Sequence, residues 1–238
     1  MQAEQCLENL FKTLIIEVYV RRNDHPEVEQ SRLSCLPEFS NINHYWDKQR
    51  DMVVAKILPG EFYSTSDNIA ISTTLGSCIS ACVWDNKTFI GGMNHFMLPI
   101  TNKEAHEINW GSREKMSDAT RYGNFAMEHL INTILKLGGR KINLKAKLFG
   151  GAKVLNNMTD VGQRNIDFAI HYLAQENIPV ESCDIGDIYP RKVIFEPSSG
   201  RAFVKRLDNL HNDTISKREY NYRSQIEQEQ VDGDVELF

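Results

Sequence analysis

The sequence predicts an α+β fold with a mainly antiparallel sheet. Short apolar runs bounded by turn residues predict strands between residues 53 and 98, and again at 145–149 and 193–207. Two longer segments, 118–137 and 161–177, carry apolar side chains at helical spacing. Because the strands and helices do not alternate regularly, a doubly wound parallel sheet is not expected.

The strand candidates are separated by clear turn signals. A run at 53–58 ends at Pro59-Gly60, and the runs at 68–84 and 89–98 are joined by a turn at 85–88. Near the end of the domain, residues 193–195 and 202–207 flank the turn sequence EPSSG at 196–200. Both pairs of runs are typical of antiparallel hairpins.

The two helices have recognisable ends. Gly138-Gly139 provides a C-terminal cap for the first helix. The second has Thr159 or Asp160 as its N-cap, and Pro179 lies beyond its end.

The chain divides into three parts. Residues 1–43 form an appendage with a helical pattern of apolar residues from Leu7 to Ile15, followed by a polar stretch. Residues 44–209 carry the predicted domain. Residues 210–238 are polar and charged with few apolar anchors, which predicts a mobile C-terminal tail.

Composition narrows the classes of function. The 238-residue chain has a formal net charge of -5 and no dense basic run, so we expect neither nucleic-acid binding nor attachment to an anionic membrane surface. Its five cysteines are scattered and odd in number, which argues against a secreted disulfide framework. The N-terminus does not resemble a signal peptide, and the longest uncharged stretch is too short to span a bilayer. We therefore expect a cytoplasmic protein without membrane insertion that acts on a protein or a small molecule.

One predicted hairpin brings a thiol and an imidazole to the same face. With a two- or four-residue loop after Trp84, that residue pairs with Phe89, and Cys78 then pairs with His95. Directly opposed residues of an antiparallel pair have Cβ atoms roughly 4.5–5.5 Å apart. A bulge at Gly91-Gly92 would shift the register by one and turn the imidazole away.

A facing thiol and imidazole can carry out nucleophilic catalysis. An imidazolium lowers the pKa of a thiol by stabilising the thiolate, which is the nucleophile. Gly76 and Ser77 precede the cysteine, and the glycine would let a substrate carbonyl approach backbone N–H groups that act as an oxyanion hole. Ser72 and Thr73 offer hydroxyl groups that could orient the imidazole.

The sequence also allows structural or metal-binding interpretations of these residues. A cysteine in an apolar strand is usually structural, and Cys82 is interpreted in that way. Cys78, Cys82 and His95 could supply three metal ligands, but zinc-site spacing is absent and no metal or other cofactor is expected. Gly150-Gly151 followed by Lys153 lacks the spacing of a phosphate-binding loop and favours a tight turn.

Several motifs in order resemble the CheD family of chemoreceptor glutamine deamidases. The match covers residues 44–207. It consists of LGSC at 75–78, GGMNHFMLP at 91–99, YGN at 122–124 through Leu130, KLFGGA at 147–152, GQRN at 162–165, RKVIFEP at 191–197, Gly200 and VKRL at 204–207.

The resemblance implies a fold and a reaction. The fold would be a layered α/β/α sandwich, and the reaction would be hydrolysis of selected glutamine side chains on the cytoplasmic helical bundle of chemoreceptors, giving glutamate and ammonia. The family nucleophile falls on Cys78 and the family histidine on His95. By its spacing from the cysteine, the family threonine falls on Ser72, whereas Thr73 is expected on the other face of the strand.

The resemblance also implies further properties and one competing function. Some family members hydrolyse receptor methyl esters, and some bind the phosphatase CheC. The alternative is a non-catalytic chemotaxis adaptor that binds the receptor or a CheC-type phosphatase. The presence of both Cys78 and His95 favours the enzyme, because an adaptor has no need for the pair.

Overall fold

A computed structural model of the protein describes residues 25–99, 118–154, 161–207 and 213–228. The four helices in these ranges are α1 (Pro26–Ser34), α2 (Asp118–Lys136), α3 (Val161–Gln175) and α4 (Asp213–Gln228). The ten strands are β1 (Asn43–Asp47), β2 (Met52–Lys56), β3 (Phe62–Thr65), β4 (Ile69–Leu75), β5 (Ile79–Asp85), β6 (Gly91–Asn94), β7 (Leu144–Gly150), β8 (Val180–Ile185), β9 (Arg191–Glu196) and β10 (Arg201–Arg206).

The strands form two five-stranded sheets. The first has the order β1-β2-β4-β9-β10 and the second has the order β3-β6-β5-β7-β8. Within the described ranges, six of the eight strand pairings are antiparallel, and only β2–β4 and β7–β8 are parallel. The predicted α+β class with mainly antiparallel pairing is therefore confirmed, although the strands are divided between two sheets.

Two apolar clusters hold the layers together. One lies between the sheets and combines Ile71 and Phe195 of the first sheet with Cys82 and Met93 of the second. The other packs the opposite face of the second sheet against α2 and α3. The second sheet is therefore covered on both faces, which explains why every residue of β5 is buried.

Most predicted elements have counterparts in the structure. Both central helices appear within two residues of their predicted ends, and the β9–β10 hairpin pairs Glu196 with Arg201 across its turn. The single run at 68–84 is two strands, β4 and β5, that belong to different sheets. The helical pattern at residues 7–15 and the N-cap candidates Thr159 and Asp160 lie outside the described residues.

Part of the predicted mobile tail is an ordered helix. Within α4, Ile215, Tyr222 and Ile226 are buried, and so is Glu219. Their spacing of four, three and four residues places all four on one helical face, so the helix buries three apolar side chains and one acidic side chain. In the N-terminal segment, α1 similarly buries Val28 in the cluster between the sheets.

Among the helices in the described ranges, none combines the length and the apolar character needed to cross a bilayer.

Candidate active site

The loop between β4 and β5, residues 76–78, forms the floor of the candidate site. Its carbonyl groups are fixed by N–H donors from the segment after β7: Gly151 donates to Cys78 over 2.7 Å and Ala152 donates to Gly76 over 2.7 Å. The side-chain amide of Asn165 donates to the carbonyl of Ser77 over 2.8 Å. With its carbonyls held this way, the loop turns its N–H groups toward the opposite side.

The predicted tight turn at Gly150-Gly151 makes this packing possible. Both residues have positive φ angles, +112° and +68°. A β-carbon on Gly150 would lie 2.2 Å from the carbonyl oxygen of Cys78. Only glycine therefore allows β7 to end directly against the loop that carries the cysteine.

Cys78 and His95 are close together, as the sequence predicts, but their register differs from the predicted one. Trp84 pairs with Gly91 instead of Phe89, and Ile79 bridges to Phe96, so the hairpin is shifted by two residues. Cys78 and His95 are therefore diagonal neighbours and not directly opposed. Because side chains alternate with a period of two, a shift of two keeps both on the same face. A ring nitrogen of His95 and the sulfur of Cys78 lie within 4.8 Å of each other.

The structure places Thr73, and not Ser72, beside the imidazole. The hydroxyl of Thr73 lies 2.7 Å from Nδ1 of His95, in a buried position between the sheets. The hydroxyl of Ser72 lies on the other face of β4, 3.5 Å from the hydroxyl of Tyr45. Ser72 is therefore not the hydroxyl that contacts His95, contrary to the expectation from its spacing. Thr73 shares its face of β4 with Ile71 and Leu75, which point into the cluster between the sheets.

The hydrogen bonds of Thr73 define the tautomer of His95. The Thr73 hydroxyl donates its single hydrogen to the carbonyl of Ile57 over 2.9 Å. It can therefore only accept from the imidazole, so Nδ1 carries the ring proton. In the neutral ring, Nε2 then has a free lone pair. Nε2 is buried and has no hydrogen-bond partner among the described residues.

A carboxylate from α4 occupies the N–H groups of the loop. Glu219 accepts hydrogen bonds from the backbone of Gly76 at 2.8 Å, Ser77 at 2.9 Å and Cys78 at 3.4 Å. It also accepts one from the Ser77 hydroxyl at 2.7 Å. The Glu219 side chain is fully buried. The loop therefore binds a negatively charged oxygen group at the position where the sequence predicts an oxyanion hole.

The closed site holds both catalytic candidates in their uncharged forms. Burial first, and the charge of Glu219 second, raise the pKa of the Cys78 thiol well above its ordinary value of 9.0. Burial, together with the positive charge of Arg218, lowers the pKa of His95 to about 3. For such a thiol to act as a nucleophile, its proton would first have to pass to the neutral imidazole.

Three side chains at this position could hold a metal ion. Cys78, His95 and Glu219 each offer one ligand atom, and these atoms lie within 4.8 Å of one another. This set differs from the alternative suggested by the sequence, in which Cys82 is the third member. The four donors on Glu219 already match the four acceptor positions of a carboxylate, which favours an anion held by hydrogen bonds over a metal ligand.

From the sequence, Glu219 is expected in a mobile tail, and Asn165 is not among the candidate site residues. The signal for Asn165 is its position in the GQRN motif at 162–165. The signal for Glu219 is the spacing of Ile215, Tyr222 and Ile226, which defines an apolar helical face with one acidic residue in the middle. A buried acidic residue on such a face requires specific donors, and these lie 141–143 residues earlier in the chain.

The chain matches a family model and several curated proteins. Residues 97–206 match the family model described as CheD chemotactic sensory transduction. A relative from Halorhodospira halophila, described as a probable chemoreceptor glutamine deamidase CheD, is 52% identical over 204 residues, covering 86% of this chain and 93% of the relative. Relatives with the same description from Hahella chejuensis and Hydrogenovibrio crunogenus are 46% and 48% identical, over 85% and 81% of this chain and 93% and 97% of their own lengths. By this similarity over most of its length, the chain belongs to the CheD family.

Proposed function

We propose that the protein is a glutamine deamidase that acts on chemoreceptors, with Cys78 as its nucleophile. The observation that carries this proposal is the combination of Cys78 and His95 within 4.8 Å with a loop of N–H donors that holds a carboxylate beside them. The curated relatives are named chemoreceptor glutamine deamidases, which supplies the substrate. Action on the cytoplasmic part of a receptor would place the protein in the cytoplasm.

The reaction is an acyl transfer in two halves. Nε2 of His95 takes the thiol proton, and the thiolate attacks the carbonyl carbon of the glutamine side chain to form an S–C bond. The oxygen of that carbonyl gains negative charge, which the N–H groups of residues 76–78 stabilise. His95 then donates a proton to the departing nitrogen, and the C–N bond breaks to release ammonia.

The second half regenerates the enzyme. A water molecule, deprotonated by His95, attacks the thioester, and the S–C bond breaks to leave glutamate and the free thiol. Thr73 acts as a positioning residue, because its bond to Nδ1 holds the ring and leaves the lone pair on Nε2, the nitrogen that takes the thiol proton. Gly76 and Ser77 serve the oxyanion, and the chemistry requires no cofactor.

The direct test uses a receptor cytoplasmic fragment as substrate. Incubation with the protein should convert specific receptor glutamines to glutamate, as detected by mass spectrometry of receptor peptides. Cys78→Ala and His95→Ala should each lower the rate by roughly 10³-fold or more. Cys82→Ala is the matched control because Cys82 is equally buried in the neighbouring strand, and it should keep most of the activity. Activity that survives Cys78→Ala would disprove the assignment of the nucleophile.

The same experiment separates the enzyme from a non-catalytic adaptor. An adaptor would bind the receptor fragment equally well with and without the thiol of Cys78, and it would deamidate no glutamine. Hydrolysis of receptor methyl esters and binding of a CheC-type phosphatase remain predictions of the family resemblance.

A further inference from the structure

We propose that α4 occupies the substrate site as a product-like helix, with Glu219 in the position of the glutamate that the reaction forms. This inference rests on the proposed deamidase function and adds two statements to it. The site accepts a side chain from the buried face of an amphipathic helix, and the protein's own helix closes the site until a substrate helix displaces it.

The chemistry of Glu219 matches that of the product. Hydrolysis of a glutamine side chain yields a glutamate side chain of the same length. The two carboxylate oxygens of Glu219 accept bonds from the N–H groups of Gly76, Ser77 and Cys78, the loop that carries the proposed nucleophile. A fully buried carboxylate is costly unless several donors are directed at it, so the loop is suited to bind an oxyanion.

The fit of α4 depends on two glycines of the domain surface, which have no side chain to obstruct the helix. A β-carbon on Gly76 would lie 2.8 Å from both carboxylate oxygens of Glu219, and one on Gly60 would lie 2.9 Å from the ring of Tyr222. Tyr222 also makes a hydroxyl–hydroxyl bond to Tyr122. The two glycines therefore leave space for the acidic and the aromatic residue of one helical face.

The remaining contacts fix the helix along its axis. Ile215 and Ile226 are buried one turn before Glu219 and one turn after Tyr222. Arg218 donates to the carbonyl of Thr74 over 2.9 Å, at the end of β4. Because the helix is held on both sides of Glu219, that side chain reaches the loop in one register. A substrate helix would need the same arrangement, with its glutamine between two apolar turns.

The docked helix blocks the reaction in three ways. Its carboxylate fills the donors that an oxyanion requires, and its body leaves Cys78 and His95 almost fully buried. Its negative charge also opposes formation of the thiolate. A substrate helix that displaces α4 removes all three obstacles at once.

The sharpest test replaces the product-like glutamate at position 219 with glutamine, the side chain of the substrate. In full-length Glu219→Gln protein, the introduced amide would lie against Cys78, where attack by sulfur, loss of ammonia and hydrolysis of the thioester leave glutamate. Mass spectrometry of the freshly purified variant should find glutamate at position 219. Gln225, on the exposed face of the same helix, should remain glutamine and serves as an internal control. In the Glu219→Gln, Cys78→Ala protein, the introduced glutamine should also remain unchanged.

Activity on a receptor fragment separates the two levels of the proposal. If the introduced glutamine persists in a Glu219→Gln protein that deamidates the receptor fragment, α4 does not present this position as a substrate and the inference is overturned alone. If neither the introduced glutamine nor the receptor is deamidated, the proposed function fails and the inference fails with it.

Closure of the site has an independent readout. The double variant Glu219→Ala, Tyr222→Ala removes the carboxylate and the ring that seat the helix. Alkylation of Cys78 by iodoacetamide should then become about tenfold faster or more. The matched control is Tyr220→Ala, Gln225→Ala, which changes exposed side chains of the same helix and should label at the wild-type rate. Equal labelling of Cys78 in all three proteins would overturn the proposal that α4 closes the site.

Discussion

The bond between Thr73 and His95 decides which imidazole nitrogen carries the lone pair. Thr73 gives its hydrogen to the Ile57 carbonyl and so can only accept from Nδ1. The lone pair is then on Nε2 for as long as this bond persists. At the scale of single residues, one hydroxyl on an inward-facing strand position therefore sets the tautomer of the imidazole.

This role predicts different effects of removing two neighbouring hydroxyls. Thr73→Val keeps the shape of the side chain but leaves Nδ1 without an acceptor, and kcat on a receptor fragment should fall about tenfold or more with little change in KM. Ser72→Ala is the matched control and should keep near wild-type kinetics, because Ser72 faces away from His95. A larger loss from Ser72→Ala than from Thr73→Val would reverse the assignment of the orienting hydroxyl.

At the scale of elements, Asp85 sets the length of the loop that gives the hairpin its register. One carboxylate oxygen accepts from the N–H groups of Lys87 and Thr88, at 2.7 and 3.0 Å. The other accepts from the N–H of Arg140 at 2.8 Å and from the side chain of Asn143 at 3.3 Å. Burial alone would raise the pKa of Asp85, but these four bonds lower it to about 2.

The four hydrogen bonds of Asp85 predict a pH-dependent contribution to the free energy of unfolding. Asp85→Ala should lower the free energy of unfolding by about 2–3 kcal/mol near neutral pH, because it leaves four donors without their acceptor. The pKa of Asp85 in the folded protein lies below its ordinary value of 3.8. The stabilisation is therefore present above pH 3.8 and is lost as the pH falls toward about 2. Urea unfolding of both proteins at several pH values would measure it. A difference that stays constant down to pH 2 would contradict the role of the ionised carboxylate.

At the scale of the whole molecule, Arg191 joins the two sheets next to the loop that carries Cys78. It lies on β9 of the first sheet, opposite Leu75 at the end of β4. Its guanidinium donates to the carboxylate of Asp184, on β8 of the second sheet, over 2.7 Å, and also to the carbonyls of Asp184 and Gly186. The Arg191 side chain is fully buried, so these bonds are shielded from solvent.

This link predicts that two arginines near the same carboxylate differ in their contribution to stability. Arg191→Met should lower the free energy of unfolding by about 2–4 kcal/mol, since it leaves acceptors between the sheets unpaired. Arg206→Met is the matched control, because Arg206 is half exposed and lies 3.7 Å from Asp184, and it should cost less than about 1 kcal/mol. Urea denaturation would compare the two variants. Equal losses would show that Arg191 does not act as the link between the sheets.

The elements and the site differ in how far they could be predicted. Helices α2 and α3 and the β9–β10 hairpin follow from local periodicity and turn chemistry, so their positions agree with the sequence. In the shifted β5–β6 hairpin, Asp85 stabilises the loop by binding four donors from two parts of the chain. Two of these donors, Arg140 and Asn143, lie outside the hairpin, so the hairpin sequence alone does not reveal them.

The sequence alone determined the α+β class, the pairing of Cys78 with His95 on one face and the membership of the CheD family suggested by ordered motifs. These depend on local patterns. The predicted register was wrong by two residues, but the two side chains still share a face because side chains alternate with a period of two. Only the tertiary structure decided that Thr73 contacts His95 and that Glu219 fills the loop beside Cys78. Both depend on which face of a strand meets a distant segment, and that is set by the packing of two sheets and a terminal helix.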